Sequence, residues 1–319
     1  MGIAIIEVIL GHAMSLQDVT YTAFMKILSV ATRFVFTEGF LFLSGLGLYF
    51  SFSQNPSIKS FYKKRFLRLY FPYVILSSWY FIYVDIIKGE DFSIFMGHIS
   101  TLAFWYEGNF IGMWYIALSL VLYLFYPFMH VFLYSSGVSN LRFVILLVLS
   151  VLINLMVAVV FPDYYEKISI GISKIPCFIV GSLCGYFALN GSFNRRNMFV
   201  TYLVLGLVYV LTYGICKGNM FLSQYSSILE KFLGMSVCTV ILQALVRFHF
   251  SSYFLHIFRW FGKYTLELYV LHLLIFSFLG LQFKEGVSMS TKIVIMCTLP
   301  CFLCKPIHYV IDRLTRSLV

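Results

Sequence analysis

Long apolar runs recur from one end of the chain to the other, and few charged residues interrupt them. A helix needs roughly 20 apolar residues to cross a bilayer core about 30 Å thick. The runs lie at 1–16, 34–53, 69–87, 111–133, 142–161, 175–190, 198–216, 232–247, 264–283 and 293–312. They predict an all-α, polytopic membrane protein with about ten transmembrane helices. The connecting loops are short, so we expect a single membrane domain over residues 1–319.

The composition supports a membrane protein. Hydrophobic residues make up 61% of the chain and charged residues 11%, whereas soluble domains carry about 25% charged residues. The net charge of +10 suggests a nucleic-acid partner, but the placement of the charges argues against one. Loops after even-numbered runs, together with the C-terminal tail, hold more Lys and Arg than loops after odd-numbered runs. By the positive-inside rule both termini are cytoplasmic, and we expect membrane lipid as a partner and no nucleic acid.

The cysteines favour helix packing over metal binding or cross-linking. Their number is odd, and they lie in the apolar runs or at their edges, which argues against a disulfide framework. Cys297, Cys301 and Cys304 share one helical face. No loop supplies the further Cys or His of a four-ligand zinc site. We therefore expect no metal and interpret the three cysteines as small packing residues.

Two ionisable residues interrupt the first apolar run. Glu7 and His12 each cost roughly 2.5–3.5 kcal/mol near a helix centre, which makes them functional candidates. His12 lies about 16 Å along the helix from Met1, deep in the bilayer. The two side chains point about 140° apart around the helix, so they do not form a direct pair. A buried imidazole that hydrogen-bonds a neighbouring helix remains the structural alternative for His12.

Several motifs then follow in order along the chain. They are His12 in the first run, Phe40-Leu41-Phe42-Leu43-Ser44-Gly45, the basic stretch from Lys64 to Tyr73, Trp114-Tyr115 with Tyr126-Pro127, Pro176-Cys177-Phe178 with Gly181, and Gly262 to His272. Together they resemble the acyltransferase-3 family of integral-membrane O-acyltransferases. The family's basic loop reads RRxxRxxPPY, and here Phe71 replaces its first proline.

One family position differs. Members carry an arginine, then ten residues, then the first-span histidine, and counting back from His12 places that arginine on Met1. Either the protein lacks the arginine, or its natural start lies upstream. We expect the second, because the first run also lacks a basic flank and several residues of a full span. An in-frame stop directly before Met1, with no alternative start, would contradict this expectation.

The resemblance implies an acyl transfer in the bacterial inner membrane. An acyl group, in the simplest case acetyl, would pass from cytoplasmic acyl-CoA to a hydroxyl of a cell-envelope glycan or a lipid-linked sugar. Acetyl-CoA would be a co-substrate, with no tightly bound cofactor. His12 would be catalytic, as a base or as a covalent nucleophile. Lys64, Arg65 and Arg68 would bind the donor phosphates, although any positive-inside loop contains such a cluster.

A further set of residues is a candidate lining for the substrate path: Glu7, Glu38, Ser44, Trp114, Tyr115, Tyr269 and His272. Each has a structural alternative. Tyr269 and His272 share a helical face and can join two helices. Ser44, beside Gly45, fits a close helix crossing, and Trp114 with Tyr115 fits an interfacial aromatic belt.

Two other functions remain open. In a secondary transporter or a flippase for a lipid-linked glycan, Glu7 and His12 would form a proton relay. A non-catalytic assembly subunit would show neither transfer nor transport.

Overall fold

The computed structural model describes residues 1–15, 38–108, 111–135, 140–190, 252–282 and 288–317. Within these ranges the chain is helical and contains no strand element. The runs at 198–216 and 232–247 lie outside the described residues, and so do parts of several loops.

The described helices follow the apolar runs, with short amphipathic helices between them. In chain order they are α1 (Gly2–Ser15), α2 (Glu38–Gln54), α3 (Ile58–Arg65), α4 (Phe71–Phe81), α5 (Phe92–Ile99), α6 (Ala103–Tyr106), α7 (Trp114–Tyr134), α8 (Asn140–Val160), α9 (Pro162–Ile172), α10 (Ile175–Leu189), α11 (Ser252–Lys263), α12 (Thr265–Gln282) and α13 (Met289–Ser317). Two π-helical segments, Phe66–Tyr70 and Ile82–Lys88, flank α4.

Six described helical stretches are long and apolar enough to cross a membrane: Ile58–Lys88, Trp114–Tyr134, Leu141–Val160, Pro162–Leu189, Thr265–Gln282 and Ser290–Ser317. A shorter apolar helix covers Gly2–Ala13. These stretches confirm the all-α membrane class. The count of about ten spans and the cytoplasmic placement of both termini stay predictions.

The structure extends two runs beyond their apolar limits. The helix that contains run 69–87 begins at Ile58 and includes the basic stretch, and α13 continues to Ser317. Pro162 is the first residue of α9 and Pro176 the second residue of α10, first-turn positions where the missing N–H of proline is not needed. An apolar run identifies only the part of a helix that lies in lipid. It does not identify polar turns that continue the helix at either end.

By internal contacts the chain divides into two compact units. Unit 1 combines Met1–Arg33, Tyr62–Leu120 and Ser251–Val319, and unit 2 combines Phe34–Phe61 and Val121–Phe250. In unit 1, α12 is central, because α1, α4 and α13 all pack against it. The middle of α12 is buried from Leu268 to His272.

Unit 2 is organised by a close crossing of α2 and α10. A Cβ atom at Gly181 would overlap the carbonyl group of Phe42, and one at Gly45 would overlap the carbonyl oxygen of Phe178. Gly185 faces Leu46 and Tyr49 one turn further along α10. Small residues four apart allow helix backbones to approach closely in a membrane. The structure therefore shows a helix crossing at Gly45, the alternative that we gave for the Ser44-Gly45 pair.

The close crossing of α2 and α10 predicts that two glycine-to-alanine substitutions have different effects on stability. Gly181→Ala should destabilise the protein by about 1–3 kcal/mol, because the new methyl group has no space against the Phe42 backbone. Gly47→Ala, on the open side of α2 with nothing within 4 Å, should be neutral or stabilising, since alanine is the better helix former. Thermal unfolding in detergent measures both. Equal midpoints for the two variants would contradict the crossing.

Candidate active site

His12 and His272 meet in unit 1. His12 Nδ1 lies 3.0 Å from His272 Nε2, and the two rings stack with centroids 5.3 Å apart and planes 19° apart. His12 is half-buried, whereas His272 is fully enclosed at 0% exposure. The structure thus joins the proposed catalytic residue to a residue predicted only to line the substrate path.

The hydrogen bonds around His272 determine where the protons lie on both rings. His272 Nδ1 lies 2.8 Å from the carbonyl oxygen of Leu268, and a carbonyl can only accept, so Nδ1 carries a hydrogen. In the neutral ring Nε2 then has a lone pair, and His12 Nδ1–H donates to it. The lone pair of His12 therefore resides on Nε2, where neutral imidazole acts as a base or a nucleophile.

Helix geometry explains how these groups are placed. Leu268 and His272 are one helical turn apart on α12, so the histidine bonds the carbonyl of its own preceding turn. At the start of α1, Gly2 lies directly against the backbone of Phe258 in α11. A side chain at Gly2 would overlap the carbonyl of Phe258, so the absence of one lets α1 pack closely beside α11.

Aromatic side chains extend the site along α12. The Tyr269 ring packs edge-on against His272 at 5.9 Å and against Tyr115 at 5.5 Å. The Tyr269 hydroxyl donates to the carbonyl oxygen of Gly112. Trp114 is buried beside Tyr115. Four residues predicted for the substrate path (Trp114, Tyr115, Tyr269 and His272) thus form one connected group in unit 1.

Glu7 is half-buried on α1, five residues before His12. Its Oε2 atom is enclosed and has no hydrogen-bond partner in the described part of the chain. An enclosed carboxylate oxygen without a partner is costly, which keeps Glu7 a functional candidate.

The basic stretch lies where α3 passes into its π-helical continuation. Lys64 and Arg68 are exposed on one helical face at a spacing of four residues, and Arg65 is half-buried between them. π-helical turns widen a helix locally and are frequent at functional sites. The arrangement leaves two cations open to a soluble ligand, and their role in donor binding stays a prediction.

Glu38 and Ser44 belong to unit 2. Both are buried, and Ser44 Oγ lies 3.3 Å from the hydroxyl of Tyr123. Glu38 opens α2, where a carboxylate stabilises the positive end of the helix. Their place on a substrate path stays a prediction.

The three cysteines of α13 bond within their own helix. The thiols of Cys301 and Cys304 lie 3.3 Å from the carbonyl oxygens of Cys297 and Cys301. Among the described residues, no group of three or more His, Cys, Asp or Glu side chains is placed to hold a metal ion.

Sequence reasoning missed a second histidine site in unit 1. His98 lies between Asp85 and Glu107, with Nδ1 2.8 Å from Asp85 Oδ2 and Nε2 3.5 Å from Glu107 Oε2. Neither the spacing of these residues nor any motif signals the cluster, which only the folding of α5 and α6 brings together.

Comparison with known proteins agrees with the order of motifs. The acyltransferase-3 family model, described as an acyltransferase domain, matches residues 2–307, nearly the whole chain. No curated protein and no solved structure matches the chain.

Proposed function

Because the chain belongs to the acyltransferase-3 family, we propose that it is a membrane O-acyltransferase for cell-envelope glycans. An acyl group, in the simplest case acetyl, passes from cytoplasmic acyl-CoA to a hydroxyl of the glycan or of its lipid-linked precursor. The observation that carries the proposal is the hydrogen-bonded chain from the Leu268 carbonyl through His272 to His12. It presents a neutral imidazole with a basic Nε2 at a half-buried position in a membrane helix.

The proposed acyl transfer depends on the Nε2 atom of His12. His12 Nε2 takes the proton of the acceptor hydroxyl while the oxygen attacks the thioester carbonyl. The C–S bond then breaks, the ester remains on the glycan, and the proton passes to the departing thiolate of coenzyme A. In a covalent route, Nε2 attacks the thioester carbonyl, the C–S bond breaks and the thiolate of coenzyme A departs. The acceptor oxygen then attacks the acyl carbon on Nε2, the N–C bond breaks, and the hydroxyl proton passes to the thiolate. Both routes use the same tautomer of His12.

His272 acts as a positioning residue in either route. Positive charge develops on His12 as Nε2 gains a proton or an acyl group. The Nδ1–H bond to His272 holds the ring orientation during this change, as an orienting partner does for a catalytic histidine.

Acyl-CoA is a co-substrate and not a tightly bound cofactor. Its phosphates match the exposed cations of Lys64 and Arg68 and the half-buried Arg65, because guanidinium groups bind phosphate through paired hydrogen bonds. The basic loop is on the cytoplasmic side in the predicted topology, where coenzyme A thioesters are found. We place the protein in the bacterial inner membrane as a multi-pass protein.

Arg68 provides a test of the donor site. Arg68→Gln should raise the KM for acetyl-CoA about tenfold and leave the KM for the glycan unchanged, because one phosphate contact is lost. The matched control is Arg313→Gln, which removes one exposed positive charge from α13. Equal KM values for acetyl-CoA in the two variants would exclude a donor contact at Arg68.

A transporter or flippase is the second candidate, and Glu7 is the observation that favours it. A membrane carboxylate on the same helix as His12, with an enclosed oxygen that has no hydrogen-bond partner among the described residues, is a pattern found in proton relays. In that function acyl-CoA has no part, and the glycan itself is moved.

Deletion of the gene separates the two candidates. For an acyltransferase, the envelope glycan of the deletion strain remains on the surface but lacks one ester, and the wild-type gene restores it. For a transporter, the glycan itself is lost from the surface. Mass spectrometry of alkali-treated and untreated glycan measures the ester, and staining of intact cells measures the glycan.

A further inference from the structure

Asp85, His98 and Glu107 form a buried polar cluster in unit 1. Asp85 lies in the π-helical segment after α4, His98 near the end of α5, and Glu107 just after α6. Asp85 and His98 are each only 5% exposed, whereas the Glu107 side chain is 39% exposed. The three residues place one imidazole between a buried and a partly exposed carboxylate.

The imidazole of His98 is held from several sides. Its Nδ1–H donates to Asp85 Oδ2 at 2.8 Å. Phe81 stacks on the ring with centroids 4.8 Å apart, and the Tyr73 hydroxyl donates to the His98 carbonyl oxygen at 2.7 Å. An Asp–His pair fixed in this way orients Nε2, and the same arrangement orients histidines that bind or activate hydroxyl groups.

A small cavity lies beside the cluster. Its volume is about 20 Å³, slightly more than one water molecule needs. Its wall includes Tyr73, Phe81, His98, Thr101, Phe104 and Trp114. This space is large enough for a single hydroxyl group.

The backbone around the cavity is strained. Thr101 and Ile111 adopt positive φ angles of 66° and 54°, which are unfavourable for β-branched residues. Thr101 belongs to the cavity wall, and Ile111 precedes the segment that carries Trp114. Such strain persists only where surrounding contacts impose it, and it concentrates at functional sites.

Side-chain contacts also connect the cavity to α12, the helix that carries His272 of the candidate active site. Trp114 forms part of its wall, and its neighbour Tyr115 contacts Tyr269 of α12. The Tyr269 hydroxyl donates to the carbonyl of Gly112, just before this segment. The 112–115 segment thus contacts both the cavity and α12.

We propose that Asp85, His98 and Glu107 form a binding site for one hydroxyl of the acceptor, separate from the hydroxyl that receives the acyl group. This inference rests on the proposed acyl transfer, since it assigns the site to the acceptor of that reaction. Asp85 positions His98, and the bound hydroxyl donates its proton to an acceptor at the Nε2 edge of His98, either the Nε2 lone pair or the Glu107 carboxylate. The aromatic wall of Phe81, Phe104 and Trp114 packs against the adjoining carbon atoms of the acceptor. The site selects a polyhydroxylated acceptor and takes no part in the acyl step.

The test compares two variants of the site with one matched control. Purified full-length protein in lipid vesicles is given acetyl-CoA labelled in the acetyl group and envelope glycan extracted from the source cells. Half-saturating concentrations are measured for each substrate. His98→Gln removes the imidazole, and Glu107→Gln changes the more exposed partner with little risk to folding. His308→Gln breaks a second histidine–carboxylate pair among the described residues of unit 1, His308 Nδ1 to Glu267 Oε1 at 2.6 Å.

We expect His98→Gln to raise the half-saturating glycan concentration at least tenfold and Glu107→Gln at least threefold. The half-saturating acetyl-CoA concentration should change less than twofold in both, and His308→Gln should alter neither value. An unchanged glycan value in Glu107→Gln and in folded His98→Gln, or an equal shift in both substrates, would show that His98 only supports the fold. If wild-type protein transfers no label to glycan, the proposed function is wrong and this site is not an acceptor site.

Discussion

Replacing His12 by alanine is expected to lower the rate of acyl transfer by about two to four orders of magnitude, the usual contribution of a positioned acid–base group. The substitution removes the only imidazole that α1 supplies and leaves His272 Nε2 without its donor. The KM values for both substrates should change little, because the lost interaction develops in the transition state. Initial rates with labelled acetyl-CoA measure the effect.

The matched control is His256→Ala, which removes an exposed histidine from α11 of the same unit. It should retain wild-type activity, and both variants should keep the wild-type unfolding temperature within a few degrees. A His12→Ala variant that is folded and transfers acetyl at more than a tenth of the wild-type rate would exclude His12 as base or nucleophile.

The second large effect is expected at His272, and it should depend on what replaces the ring. His272→Phe keeps the size of the side chain but removes the atom that accepts from His12 Nδ1–H. His12 then loses its hydrogen bond to His272 and, with it, the preference for a lone pair on Nε2. We expect kcat to fall at least about tenfold, since loss of the partner that orients a functional histidine costs this much or more.

His272→Gln should recover part of that loss, because the glutamine carbonyl can accept the same hydrogen bond. A purely structural role for His272 predicts the opposite order, since phenylalanine is the better substitute in an apolar core. Measurement of kcat and unfolding temperature for both variants separates the two. Higher activity of His272→Phe than of His272→Gln would rule out the orienting hydrogen bond.

Much of the fold follows from the sequence, because long apolar runs identify membrane helices. The runs at 111–133, 142–161 and 264–283 correspond closely to α7, α8 and α12. Helices α5 and α9 were not predicted, because α5 is apolar but at eight residues too short for a span, and the polar residues of α9 lower its hydrophobicity. The π-helical turns beside α4 have no composition of their own and follow from packing.

The candidate site was predictable only residue by residue. His12 was identified as an ionisable group deep in a span, and Tyr269 and His272 through their shared helical face. The contact between His12 and His272 was not predictable, because the two residues are 260 positions apart and no sequence pattern relates them. The tautomer depends on the Leu268 carbonyl, a backbone atom to which no sequence motif refers. The Asp85–His98 pair was missed for the same reason, since its geometry depends on the turn between two helices.

Labelled acetyl transfer by the purified full-length protein in lipid vesicles tests the central claim most directly. With envelope glycan as acceptor, we predict that label from acetyl-CoA appears in the glycan as an alkali-labile ester, and that His12→Ala abolishes it. Movement of unmodified glycan across the vesicle membrane in the absence of acyl-CoA, at the same rate in His12→Ala and with no ester formed, would contradict the account.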